Sequence, residues 1–88
     1  MAYFKAYQRE KDGKTHVWYY RGKKLWFHIV PKDDGWYHAL TDIEHGAGSL
    51  VPTLELAKQR IEERIRLLDD MTGKKSRITY DYGIYGTT

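Results

Sequence analysis

The side chains able to do chemistry are few and scattered. The chain has no cysteine, so thiol nucleophiles, disulfides and cysteine-type zinc sites are excluded. Ser49 and Ser76 are the only serines, and neither sits in a Gly-x-Ser-x-Gly turn. His45-Gly46-Ala47-Gly48-Ser49 puts a histidine near a serine in a glycine-rich stretch, but sequence proximity fixes no geometry and the stretch reads as a loop. Gly46-x-Gly48 precedes a helix and is too short for a phosphate-binding fingerprint. His28 and His38 fall on neighbouring strands, where a one-residue slip in register would bring them together, and His16 lies near the far end of the same sheet. No histidine pair has the i,i+4 helical spacing of a zinc protease, and a site needs three or four converging ligands. Asp33-Asp34 belongs to a turn, and Asp69-Asp70 to a helix end where acids oppose the dipole. The expectation is a chain that is not an enzyme and carries neither metal nor cofactor.

The chemistry that remains is recognition. Arg21, Lys23 and Lys24 cap a predicted hairpin, and Tyr19, Trp26, His28 and Tyr37 lie on the strands beside it, with Lys32 at the next turn. Rings that stack bases, next to cations that neutralise phosphates, suit nucleic acid. The same residue types also make hot spots in protein interfaces. The net charge is only +3, but it is uneven. Residues 1–32 hold eight bases against two acids, whereas residues 33–52 hold Asp33, Asp34, Asp42 and Glu44 and no Lys or Arg. That footprint is weaker than the one usual for duplex DNA. The expected partner is nucleic acid, DNA first, or a protein.

The elements that must position these residues follow from turn chemistry. At 88 residues the chain is read as one domain: sheet 1–51, helix 54–71 and tail 74–88. Its 3 Trp, 8 Tyr and 2 Phe supply the mass of a small core. Strands over 3–10, 15–20, 25–30 and 36–41 alternate with turns at Asp12-Gly13, Arg21-Lys24 and Asp33-Gly35. The fold class is therefore α+β, an antiparallel meander of about four strands followed by one long helix. Residues 42–49 read as a loop, and Leu50-Val51 as a short strand or the helix entry. Thr53 is the expected N-cap and Gly73 the residue past the helix end. Leu54, Ala57, Ile61, Ile65 and Leu68 form one apolar stripe. No apolar run is long enough to span a bilayer and no signal peptide opens the chain, so a cytoplasmic protein without membrane contact is expected (host cytoplasm for a phage-encoded one).

Register decides which rings are free. Two-residue turns at Gly22-Lys23 and Asp33-Asp34 set Tyr20 opposite Leu25, Tyr19 opposite Trp26, Trp18 opposite Phe27 and Ile29 opposite His38. Trp18, Tyr20, Leu25, Phe27, Ile29, Trp36 and Leu40 then take the helix. Val17, Tyr19, Trp26, His28, Tyr37 and Thr41 form the open face. A slip or bulge would exchange a strand's faces.

A second surface is the helix flank, Leu56, Leu67 and Met71 with Arg60 and Arg64 beside them, read as part of a wide buried stripe or as a dimer interface. The tail alternates Ile78, Tyr80, Tyr82 and Ile84, too apolar for a bare arm. It is expected to pair with a sheet edge, the chain's own first strand or that of a second copy in a homodimer, or to cover the helix flank.

Tyr20-Arg21-Gly22, Gly35-Trp36 with Ala39 and Asp42, and Thr53-x-x-x-Ala57 together resemble the DNA-binding fold of plant AP2 domains and the arm-binding domains of phage-type integrases. The resemblance spans about residues 17–65. It implies a three-stranded sheet on one C-terminal helix, with the sheet in the DNA major groove. That family reads bases with sheet arginines; here strands three and four have none, and His28, His38 and Trp26 would stand in. The compact, cysteine-free, aromatic-rich chain also looks like small phage accessory proteins, among them anti-CRISPR-type inhibitors that bind a host or defence-system protein.

Overall fold

Asp12 and Gly13 both adopt positive φ, 56° and 73°, and so close a two-residue hairpin with Lys11 opposite Lys14. This turn joins β1 (Ala2–Lys11) to β2 (Lys14–Arg21). Gly22, at φ 62°, turns the chain into β3 (Lys24–Pro31). Pro31 ends that strand, and a loop over 32–36 leads to β4 (Tyr37–Asp42). Its backbone is closed by Lys32 N–H donating to the Trp36 carbonyl at 2.7 Å. A turn through Gly46 then gives β5 (Ala47–Val51), followed by the helix α1 (Leu54–Thr72) and β6 (Ser76–Ile84). The computed structural model describes residues 2–84.

The protein is α+β, and its described residues form one six-stranded sheet ordered β5-β4-β3-β2-β1-β6 and a single helix. The meander has five strands rather than about four, because residues 47–49 of the expected loop join Leu50-Val51 in a strand that pairs with β4. Gly48 permits this pairing: a Cβ there would lie 2.0 Å from the Ala39 carbonyl oxygen. The tail pairs with the chain's own first strand, and in parallel, with Phe4 opposite Ile78 and Ala6 opposite Tyr80. Tyr85 of the expected strand and the side chain of Ile84 lie outside the described residues.

Thr53 caps the helix by accepting from Leu56 N–H at 3.1 Å, and Gly73 ends it at φ 69°. The 19 residues of α1 span about 28 Å, while five strand spacings span about 24 Å. The helix can therefore leave β5 at one edge and deliver the chain to β6 at the other. Asp69 secures that return, accepting from Ser76 N–H at 2.8 Å and from Ser76 Oγ at 2.6 Å. This accounts for an acid near the C-terminus of a helix, where the dipole alone disfavours it.

Ala57, Ile61 and Ile65 are buried as the stripe requires, with Leu54 and Leu68 half-buried beside them. Burying each isoleucine stabilises by about 1.5–3 kcal/mol. They meet Phe4, Ala6, Val17, Tyr19, Phe27, Ile29, Ala39 and Val51.

This inner set corrects the expected register. Tyr20 does face Leu25, but Tyr19 faces Phe27, Trp18 faces His28 and Val17 faces Ile29. The third strand bulges there, with Trp26 as the inserted residue. Ile29 faces Ala39 rather than His38, and Leu40 faces His28 rather than Phe27, because a five-residue loop replaces the two-residue turn. The expected faces of β2 are thereby exchanged: Val17 and Tyr19 turn to the helix, Trp18 and Tyr20 away from it. Leu40 also lies opposite to expectation, and Trp36 precedes β4 in the loop.

Candidate functional site

Among the described residues, the sheet's second face has no helix on it. β1 contributes Tyr3, Lys5, Tyr7 and Arg9, the residues out of phase with buried Phe4 and Ala6. β2 contributes His16, Trp18 and Tyr20, out of phase with buried Val17 and Tyr19. His28 and Val30 follow on β3, His38 and Leu40 on β4, and Arg77, Thr79 and Asp81 on β6. Side chains alternate across a strand, so burial of one set assigns the other.

At the middle of this face three rings lie nearly parallel. His16 stacks on Trp18 at 5.2 Å and 8°, and Trp18 on His28 at 5.1 Å and 18°. His16 Nδ1 and His28 Nε2 meet at 3.5 Å, so one imidazole donates a long hydrogen bond to the other. Burial lowers the His28 pKa to about 4, helped by neighbouring His16. Burial also lowers that of His16, with Lys11 adding to it. Both rings are therefore neutral at pH 7. His38 stands opposite Val30, one strand further on, and no group of three or more His, Cys, Asp or Glu able to hold a metal forms among the described residues.

Towards β1, Tyr7 and Tyr20 pack edge to face at 5.8 Å. Lys5 Nζ lies 5.3 Å and the Arg9 guanidinium 5.5 Å from the Tyr7 ring. Arg9 donates to the Asp81 carbonyl at 2.7 Å and to its carboxylate at 3.1 Å, which pins β6 to β1. Gly83 leaves room for this guanidinium, since a Cβ there would meet it at 3.2 Å.

The residues expected to form one site are distributed over three places. Tyr19 is fully buried, its hydroxyl 2.8 Å from that of Tyr80, which in turn donates to Glu62 at 2.8 Å. Burial raises the pKa of both tyrosines well above the ordinary value. Tyr37 is half-buried against the same core. The expectation that these two rings face solvent is overturned by the bulge and the long loop. Trp26 also leaves the open face, packing edge-on to core Phe4 at 6.0 Å. Arg21 lies over both rings, and Lys24 over Trp26 at 5.3 Å. Trp26 and Lys24 share a shallow cleft of about 280 Å³ with Thr41, Asp42 and Arg64. Lys23 is exposed at the hairpin tip and Lys32 at the opposite end of β3. Of the expected site, His28 alone lies on the open face.

The helix flank divides as well. Leu56 is half-buried against the core, while Leu67 and Met71 are exposed, Met71 at 81%. Arg60 lies 3.9 Å from Glu63. Tyr80 and Tyr82 stack on each other at 6.0 Å, with Lys58 over both rings. The described part of the tail thus takes the sheet edge, and Leu67 and Met71 stay exposed among the described residues.

Sequence reasoning missed Tyr7, His16, Trp18, Tyr20, Lys5, Arg9 and Arg77 as members of one face. A signal for the central rings was present: with Val17 and Tyr19 turned inward, His16, Trp18, His28 and His38 fall in phase. No protein family, curated protein or solved structure matches the chain.

Proposed function

We propose that the protein is a non-enzymatic binding domain that takes single-stranded nucleic acid on the helix-free face of its sheet. The observation that carries this reading is the helix-free aromatic field of half-buried Tyr7, Trp18 and Tyr20, with Lys5, Arg9 and Arg77 along one margin. Aromatic side chains accept bases without regard to sequence, and each stacked base is worth about 1–3 kcal/mol. The three cations along this margin (Lys5, Arg9 and Arg77) set an expected single-strand salt slope of about −2. The AP2-type resemblance supports the use of the same face, the one opposite the helix, although a flat aromatic field suits unstacked bases better than a duplex groove.

A protein partner on the same face is the second reading. It is favoured by one observation: the central histidines are neutral, and Arg9 and Lys5 both engage Asp81, at 3.1 and 4.0 Å. The face is then more apolar than basic, the condition under which an anti-CRISPR-type inhibitor would dock on a protein.

A mobility-shift series with 12-nucleotide single-stranded DNA, its RNA counterpart and the duplex tests the first reading. Single strands should shift, with an affinity that falls with salt, and Trp18→Ala should weaken binding by roughly ten-fold or more. No shift of any strand at low salt overturns the reading in favour of a protein target.

A further inference from the structure

β5 is the outermost strand of the sheet, touched by β4 and α1 and, among the described residues, by no other strand. Sheet edges in native proteins are usually guarded by Lys, Pro, a covering segment or a twist, because their outward N–H and C=O groups accept any extended chain. Ala47–Val51 has none of these residues: it contains no charge and no proline. Ala47, Gly48 and Leu50 are exposed, Leu50 at 54%. The other edge differs, since β6 carries Arg77 and Asp81.

The surroundings of this edge select the occupant. Asp42 ends β4 opposite Ala47, Glu44 stands in the turn that enters β5, and Glu55 in the helix turn that leaves it. The segment 33–52 has no Lys or Arg of its own, and Lys24 and Arg64, which line one cleft with Asp42 and Glu44, leave the three acids with a net negative charge. Asp42 accepts from its own neighbour His45, which holds its carboxyl below the usual range and keeps it ionised. A second copy of β5 would bring the same acids and repel. We propose that the outer edge of β5 accepts an extended basic segment of a partner protein as a seventh strand. Backbone hydrogen bonds supply the register, an apolar side chain of the segment lies beside Leu50, and its lysines or arginines meet Asp42, Glu44 and Glu55. A five-residue edge has room for about four to six partner residues.

The test uses the full chain and a labelled peptide of alternating Lys and Val. Controls are a Glu-Val peptide and a Lys-Val peptide N-methylated at alternate residues, which keeps the charge and removes the backbone donors. The Lys-Val peptide should bind and slow hydrogen exchange at 47–51, and both controls should fail. Leu50→Lys should weaken binding roughly five-fold, since it replaces the apolar cross-strand pair and sets a cation among the peptide's lysines, while Leu50→Glu should preserve it. Both substitutions are at an exposed position, so folding is kept. Equal binding of the methylated peptide, or binding of no peptide, overturns the proposal. So does sedimentation showing self-association that Leu50→Lys abolishes, which would make the edge a contact between copies.

Discussion

His28 makes the protein sensitive to mild acid in a way that can be worked out from its surroundings. Its pKa is about 4 in the folded chain, against about 6.5 for a free imidazole. Between those values the unfolded chain binds more protons than the folded one, so stability must fall as pH drops from about 6.5 towards 4. Above pH 7 both states are neutral at this position and nothing changes. A shift of that size corresponds to a ceiling of about 3.4 kcal/mol. His28 is only half-buried, and solvent screening reduces this to about 1–2 kcal/mol. Asp33, Asp42 and Asp69 have depressed pKa values, so their contributions are present above the unfolded carboxylate value and are lost only as pH falls further. The histidine window, pH 4.5–6.5, is therefore separate. Urea unfolding at pH 7.5, 6.0 and 4.5 should show the wild-type midpoint falling at a constant m-value. His28→Gln removes the titrating group, keeps a polar side chain of similar size, and should flatten most of the slope. An identical pH profile in the variant would refute the reasoning.

Three further changes separate the parts of the fold. Gly48→Ala places a Cβ 2.0 Å from the Ala39 carbonyl, and should cost about 2 kcal/mol or more by forcing β5 away from β4, read as a lower midpoint of thermal unfolding. Tyr80→Phe should cost more than Tyr19→Phe, by about 1 kcal/mol. The first strands the buried Tyr19 hydroxyl, whereas the second leaves Tyr80 still bonded to Glu62. Equal midpoints for the two in urea would show that the chain of hydroxyls carries no weight. Ending the chain at Gly73 removes β6, exposes the β1 edge and unpairs Arg9. It should lower both solubility and melting temperature, and an unchanged melting temperature would show that β6 is not needed for the sheet.

The sequence carried the local features well and the non-local ones poorly, for physical reasons that individual residues show. Asp12-Gly13, Thr53 and Gly73 act through their own backbone angles or one short hydrogen bond, so their roles were readable in isolation. The helix stripe was readable because only one period fits Ala57, Ile61 and Ile65. β5 was hidden because Gly48 scores as a loop residue, and its real role is to let the Ala39 carbonyl approach. The alternation of the tail announced a strand on a sheet edge, β1 among the choices, but its parallel sense and the choice of this chain's own β1 join residues more than seventy positions apart, which no local pattern encodes. The candidate face was missed for a subtler reason. Tyr19 and Trp18 are both large and aromatic, so hydrophobicity could not say which belongs inside. The polar phase of His16, His28 and His38 could.

The bulge at Trp26 is the feature on which the functional reading turns. Without it, Tyr20↔Leu25 would force Tyr19 opposite Trp26, and β2 and β3 would keep matching phases along their length. With it, Leu25 still faces Tyr20 while Phe27 and Ile29 join Tyr19 and Val17 against the helix. Trp26 is thereby moved to the hairpin end, where Arg21 and Lys24 lie over its ring. Two cations and a tryptophan that would have enriched the open face are spent on packing instead. The face that remains is built from Tyr7, Trp18 and Tyr20 with neutral His16 and His28, and its charge is confined to the β1–β6 margin. A ligand on it must gain more from ring contact than from ion pairing. The single-strand reading therefore requires that Trp18→Ala weaken binding more than Lys5→Ala does; the opposite order would place the nucleic acid along the charged β1–β6 margin instead of over the rings.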